Sequence, residues 1–182
     1  MTTERQFCRF NPHGDMPLST REVPEGGLCL SSFVVLTERG HADHVLMGHL
    51  DPAAPWDHIG ALYPNRAQTN SRGWMLPSSH LILRESPQEA ARRILREQLG
   101  LEHLSLSDAT VASETYPSAR KPDLMHWDLE FLFRGEIEAD AVPEPAAWKE
   151  LCFVDLGRTT KQEIARSHED ILASAGLRVG IA

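Results

Sequence analysis

The chain has 182 residues, of which 41% are hydrophobic and 24% charged, and a formal charge of -8 at pH 7. That length suits one domain burying roughly 70% of its unfolded surface, and the composition excludes a disordered or collagen-like chain. With an acidic balance and no Lys/Arg run it lacks the basic surface that grips nucleic acid, so no nucleic-acid partner is expected.

Residues 1–27, rich in Pro, Gly and charge, read as an arm laid over a single domain at 28–182. No apolar leader opens the chain and no run of about 18 apolar residues occurs, which predicts a cytoplasmic protein without a membrane span. Cys8, Cys29 and Cys152 are odd in number and scattered, as free thiols in a reducing compartment would be. Residues 28–37 read as a strand, 38–43 as a turn and 44–50 as a second strand. A long connection with Pro52, Pro55 and Pro64 follows over 51–72, the kind of loop that often carries function. Residues 74–76 predict a short strand, Pro77-Ser78-Ser79 a turn and 80–83 another extended piece.

The clearest helix starts at Ser86-Pro87-Gln88-Glu89, where an N-cap Ser, a Pro at the first helical position and Glu at the third form a capping box. Ala90, Ala91, Ile94, Leu95 and Leu99 recur at helical spacing, and Gly100 can close the helix in the left-handed conformation. Strands are predicted at 110–116, 125–134 and 151–154. A last helix begins at the Thr160/Glu163 cap and stops at Gly176. This order predicts an α/β (α+β) sandwich, a mixed sheet between helices.

The stretch WMLPSSHLILRESPQEAARRILREQLGLE, residues 74–102, resembles the Nudix box, G-x5-E-x7-R-E-U-x-E-E-x-G-U with U aliphatic. Glu85, Arg93, Leu95, Glu97, Gly100 and Leu101 match it; Ser79, Ile94 and Gln98 depart from it. The resemblance implies a loop-helix-loop braced by Glu85 and Arg93. It also implies metal binding at 94, 97 and 98 and at the carbonyl of position 79. Helix geometry shows why those positions matter. At about 100° per residue, 94, 97 and 98 span an arc of roughly 100°, where three carboxylates would converge on Mg2+ bridged to a diphosphate. Here that face carries one carboxylate, one amide and one apolar side chain, so Mg2+ or Mn2+ is expected to bind weakly, through Glu97, Gln98 and Ser79.

A fainter similarity, over residues 28–172, is to GDP-mannose mannosyl hydrolases, which also depart from the box. It rests on Asn65-Arg66, the box helix and His126-Trp127, but the His base of that group has no counterpart, Trp148 standing about where it would be.

Four histidines, His41, His44, His49 and His58, lack metal-site spacing, since His44 and His49 would point to opposite faces of a strand. His126, Asp128 and Glu130 alternate with apolar residues, so they make either a solvated sheet face or the wall of a ligand cleft. Arg66, Arg72 and Arg120 are candidate phosphate binders and His80 a further candidate ligand contact. A Ser79 nucleophile is disfavoured, as no acid is placed to orient His80. Two functions follow. One is a divergent hydrolase acting on a nucleoside diphosphate linked to another group, with Glu97, Arg93 and Glu85 as its machinery. The other is a non-catalytic module binding a nucleotide, a sugar nucleotide or a protein. The family resemblance also makes a homodimer an expectation.

Overall fold

The computed structural model describes Arg5 and residues 9–10, 26–118, 122–142 and 147–180. Strand β1 spans Arg9–Phe10, β2 Leu28–Glu38 and β3 His41–Leu50. Helices α1 (Trp56–Ile59) and α2 (Pro64–Asn70), strand β4 (Ser78–His80) and helix α3 (Pro87–Leu99) follow. The remaining strands are β5 (Thr110–Pro117), β6 (Met125–Ile137) and β7 (Trp148–Asp155), before the closing helix α4 (His168–Ser174).

The sheet has the order β5-β6-β2-β3-β7, with β1 and β4 added against β2. Strand β2 lies at its centre, parallel to β6 along its full length and antiparallel to β3. A central strand buried on both faces is apolar on both, and β2 sends alternate side chains into two cores. Val34 and Leu36 join Phe133 and the α3 residues Ala91, Ile94, Leu95 and Leu99, with Trp56, Ile59 and Trp148 beside them. Phe33 and Val35 join Leu132 and the α4 residues Ile171 and Leu172 on the other face. The result is the expected sandwich, a mixed sheet between α3 and α4.

Four local expectations are corrected. The turn after β2 is confined to Arg39-Gly40, with Gly40 at φ 84°, and β3 resumes at His41. Residues 51–72 hold α1 and α2, and Ser78–His80 is a strand paired with Ser31–Phe33 rather than a turn. The predicted last helix is divided. The Thr160/Glu163 capping box exists but closes only the single turn Lys161–Glu163. The Glu163 carbonyl then accepts from the Trp74 N–H at 2.8 Å and the Ala165 N–H donates to the Trp74 carbonyl at 3.0 Å. Those bonds take backbone groups that a continuing helix would use, and Arg166 and Ser167 pass through left-handed conformations before α4 begins. Among the described residues no helix is long and apolar enough to cross a membrane.

Candidate functional site

The box folds as a loop-helix-loop for local reasons. The Ser86 hydroxyl accepts from the Glu89 N–H at 3.2 Å while the Glu89 carboxylate takes the Ser86 N–H at 2.8 Å. Gly100, at φ 65°, lets the Leu101 N–H return to the Leu95 carbonyl at 2.9 Å. Arg93 and Glu85 form a two-pronged ion pair at 2.7 and 2.8 Å, and the same guanidinium donates to the Ser79 hydroxyl and the His80 carbonyl. Glu85 also accepts from the Ile82 N–H at 2.9 Å. Arg93 is 4% exposed, so the brace lies away from solvent, while the capping box at Ser86 and Glu89 is exposed.

The three positions that carry acids in a complete box are differently engaged. Ile94 is fully buried in the core beneath α3. Gln98, also fully buried, donates from Nε2 to the carbonyls of Ser78 (2.8 Å) and Ile59 (3.1 Å) and accepts the Ser78 N–H at Oε1 (3.2 Å). Its own carbonyl accepts from the Trp148 indole at 3.0 Å, and Trp148 packs edge-on against Trp56. Glu97 is gripped by Arg5 through two bonds of 2.7 and 2.8 Å, and Arg5 reaches on to the His58 carbonyl at 3.0 Å. Burial pushes the Glu97 carboxyl up, but the bonds from Arg5 outweigh it and hold it below the ordinary range. The buried Ser79 hydroxyl donates to the His80 carbonyl at 3.1 Å while accepting from Arg93.

A cavity of about 390 Å³ opens on the opposite face of the sheet, against α4. Alternation in β4 separates the two faces: Ser79 turns to Arg93, while His80 turns into the cavity and its Nδ1 lies 2.8 Å from the Ser31 hydroxyl. Of the predicted ligand contacts, the fold brings Arg66, His80, Asp128 and Glu130 together in its walls. The polar face of β6 is therefore turned to this cavity rather than to open solvent, and Glu130 is only 5% exposed. His126 lies beside the cavity, in contact with Asp128, whereas Arg72 is exposed and outside the lining. Arg120 falls outside the described residues.

Sequence reasoning missed Ser31, Glu114, Tyr116, Arg166, His168 and Asp170 as cavity residues. The period-two alternation of β5 held a signal for Glu114 and Tyr116, which sit opposite Asp128 and His126 in register. Nothing local marked Arg166 or His168.

Carboxyl groups dominate this cavity. Burial, reinforced by Glu114, Asp128 and Asp170, pushes Glu130 up to about 8, and its Oε2 has no hydrogen-bond partner. Burial also raises Glu114. Asp128 is pushed up by burial, but bonds from His126 (2.9 Å) and the Tyr116 hydroxyl hold it below its ordinary value. The reciprocal bond to Asp128 pushes His126 up to about 10. His168, fully buried, is held well below its ordinary value by burial and by Arg166. It stays neutral, with Nδ1 accepting the Leu76 N–H at 2.9 Å.

No protein-family model and no curated protein matches the chain. Solved structures do. The Nudix domain of Shewanella oneidensis NrtR, solved with ADP ribose, aligns at a TM-score of 0.56 and 14% identity over 89% of this chain and 92% of that one. A mutT/nudix family protein from Listeria innocua aligns at 0.53 and 18% identity, over 81% and 91% of the two chains.

The chain has the Nudix fold.

A longer NrtR chain, solved with a 27mer DNA, aligns at 0.54 and 16% identity over 80% of this chain, which spans 59% of that one. Likeness to the Nudix fold therefore lends no support to the expectation that nucleic acid is excluded. Trp148, expected to stand about where the mannosyl hydrolases carry their His, is buried and donates its indole N–H to the Gln98 carbonyl.

Proposed function

We propose that this Nudix-fold chain is a binding module whose box is architectural and whose ligand occupies the cavity against α4. One observation carries the reading: each acid position of the box is engaged otherwise, Ile94 by the core, Gln98 by backbone groups and Glu97 by Arg5. Hard cations such as Mg2+ need several free oxygen ligands in near-octahedral array. Gln98, whose amide faces backbone partners, does not fit that role. Glu97 alone, already neutralised by a guanidinium, is a poor seat for a divalent ion. In this reading Glu97, Gln98 and Ser79, the expected seat of a weak Mg2+ or Mn2+ site, serve the fold instead.

The cavity is of a size usual for small-molecule sites. Its carboxyls suit the hydroxyl and amino groups of a nucleoside or sugar, and Arg66 and Arg166 suit phosphate oxygens. The ADP-ribose complex of a fold neighbour supports a ligand of this class.

The test is calorimetric titration with ADP-ribose, nucleotide sugars and dinucleotides, beside incubation of the same panel with Mg2+ or Mn2+. Binding without turnover is expected, weakened by Glu130→Gln and by Arg66→Ala. Turnover abolished by Glu97→Gln would restore the hydrolase reading. Binding indifferent to both cavity variants would put the ligand elsewhere, and failure of the whole panel to bind would sink the nucleotide assignment.

A further inference from the structure

Beside the cavity, three side chains of different chemistry converge on one face of the sheet. Cys29 of β2 and Asp128 of β6 are direct partners in the parallel register, and His126 precedes Asp128 by two residues, on the same side of the strand. One ligand atom from each lies within 4.8 Å of the others. Because the site is built on paired strands, its geometry is fixed by the backbone ladder rather than by a loop.

We propose that Cys29, His126 and Asp128 form a binding site for a borderline-soft divalent cation, Zn2+ in preference to Mg2+. The donor set argues for this ion: a thiolate, an imidazole and one carboxylate are zinc ligands, while Mg2+ takes oxygen.

The surrounding bonds argue for the role. Zinc-binding histidines hold their second ring nitrogen on a carbonyl or carboxylate, which fixes the tautomer and aims the other nitrogen at the metal. His126 Nδ1 lies 2.9 Å from the Gly26 carbonyl, leaving Nε2 turned to the cluster. The backbone at Gly26 runs so close to β6 that a Cβ there would collide with the Met125 carbonyl, so this support is built in tightly. Asp128 shows the same division of labour. The Tyr116 hydroxyl donates to its Oδ2, and Oδ1 faces His126 Nε2 at 2.9 Å. The outer atom of each ligand is thus anchored and the inner atom is presented.

A tetrahedral zinc site spaces its ligand atoms by about 3.3–3.8 Å, given metal–ligand bonds of about 2.0–2.3 Å. The ion would replace the proton shared between Nε2 and Oδ1, which then part by a few tenths of an ångström. Binding releases that proton and the Cys29 thiol proton to solvent. Three protein ligands leave a fourth position, and Asp128 and Tyr116 are also cavity residues, so a cavity ligand or water could complete the shell.

Metal-stripped full-length protein titrated with Co2+, as a spectroscopic stand-in, should develop a thiolate-to-cobalt charge-transfer band at one equivalent that Zn2+ then displaces. Cys29→Ser should abolish the band and Cys152→Ser should keep it. Tyr116→Phe, which leaves all three ligands, should weaken Zn2+ affinity by about ten- to a hundredfold in competition with a chromophoric chelator. Absence of the band in the wild-type protein, its survival in Cys29→Ser, or an unchanged affinity in Tyr116→Phe would each overturn the assignment. Glu97→Gln should leave the Co2+ spectrum as it is; a spectrum lost there would locate the metal at the box and refute the proposal while also contradicting an architectural box.

Discussion

Restoring the last acid of the box, Gln98→Glu, tests the architectural reading at constant shape, because it changes only an NH2 into an oxygen. In the folded chain that NH2 donates to the Ser78 carbonyl at 2.8 Å and the Ile59 carbonyl at 3.1 Å, in full burial. A carboxylate would turn an acceptor toward two acceptors. Each buried carbonyl left without its donor costs about 1–3 kcal/mol, and the retained bond from the Ser78 N–H recovers only part of that. A net destabilisation of about 3–4 kcal/mol near neutral pH is therefore expected, within the usual range for breaking a buried polar network.

The pH dependence has a definite sign. Facing two carbonyls, the new carboxyl prefers its protonated form, so its folded pKa lies above its unfolded value of about 4.3. The folded variant then holds more protons than the unfolded chain, and its stability falls as pH rises from that value toward the folded pKa. Urea unfolding of wild type and variant, at about pH 4 and pH 7, with and without Mg2+, measures both effects. A variant as stable as wild type at neutral pH, or one rescued by Mg2+, would refute the reasoning and show that the box face is open to a metal.

Arg5→Ala should cost about 1 kcal/mol, since the ion pair with Glu97 is about one-fifth exposed on each side, and added salt should shrink the loss. Because folding holds the Glu97 carboxyl below its ordinary value, the contribution is present at neutral pH and disappears as pH falls through the carboxylate range; urea midpoints across that range measure it. His168→Asn should remove a pH slope from the stability curve. Below the ordinary histidine value of 6.5 the unfolded wild-type chain takes up a proton that buried His168 refuses, so wild type loses up to about 1.4 kcal/mol per pH unit relative to the variant. Parallel unfolding curves for the two proteins between about pH 5 and pH 7 would count against a neutral His168.

The box was legible because its interactions are short in sequence. Ser86 to Glu89 and Gly100 to its own helix close within one helix, where spacing alone decides who meets whom, and Glu85 to Arg93, the pair the resemblance implied, closes within the same loop and helix. The cavity was half legible. Asp128 and Glu130 were readable as one face of a strand, but alternation cannot say whether that face meets water or α4. Burial of Glu130 was settled by the parallel pairing of β6 with β2 and by the packing of α4 against the same face. The expected last helix failed for a like reason, because Trp74, far back in the chain, competes for the backbone groups of residues 163 and 165.

By itself, then, the sequence determined the skeleton: a capped and glycine-stopped box helix, and strands whose periodicity implied a layered fold, while the Glu85–Arg93 brace was what the box resemblance implied. Only the tertiary structure decided what became of the acid positions. Arg5 meets Glu97 across 92 residues, and Gln98 meets the Ile59 carbonyl across 39. Such contacts depend on where distant segments are laid against the sheet, and no local spacing encodes that. The same pairing of remote strands set Cys29 beside Asp128, joining two residues that the sequence keeps far apart.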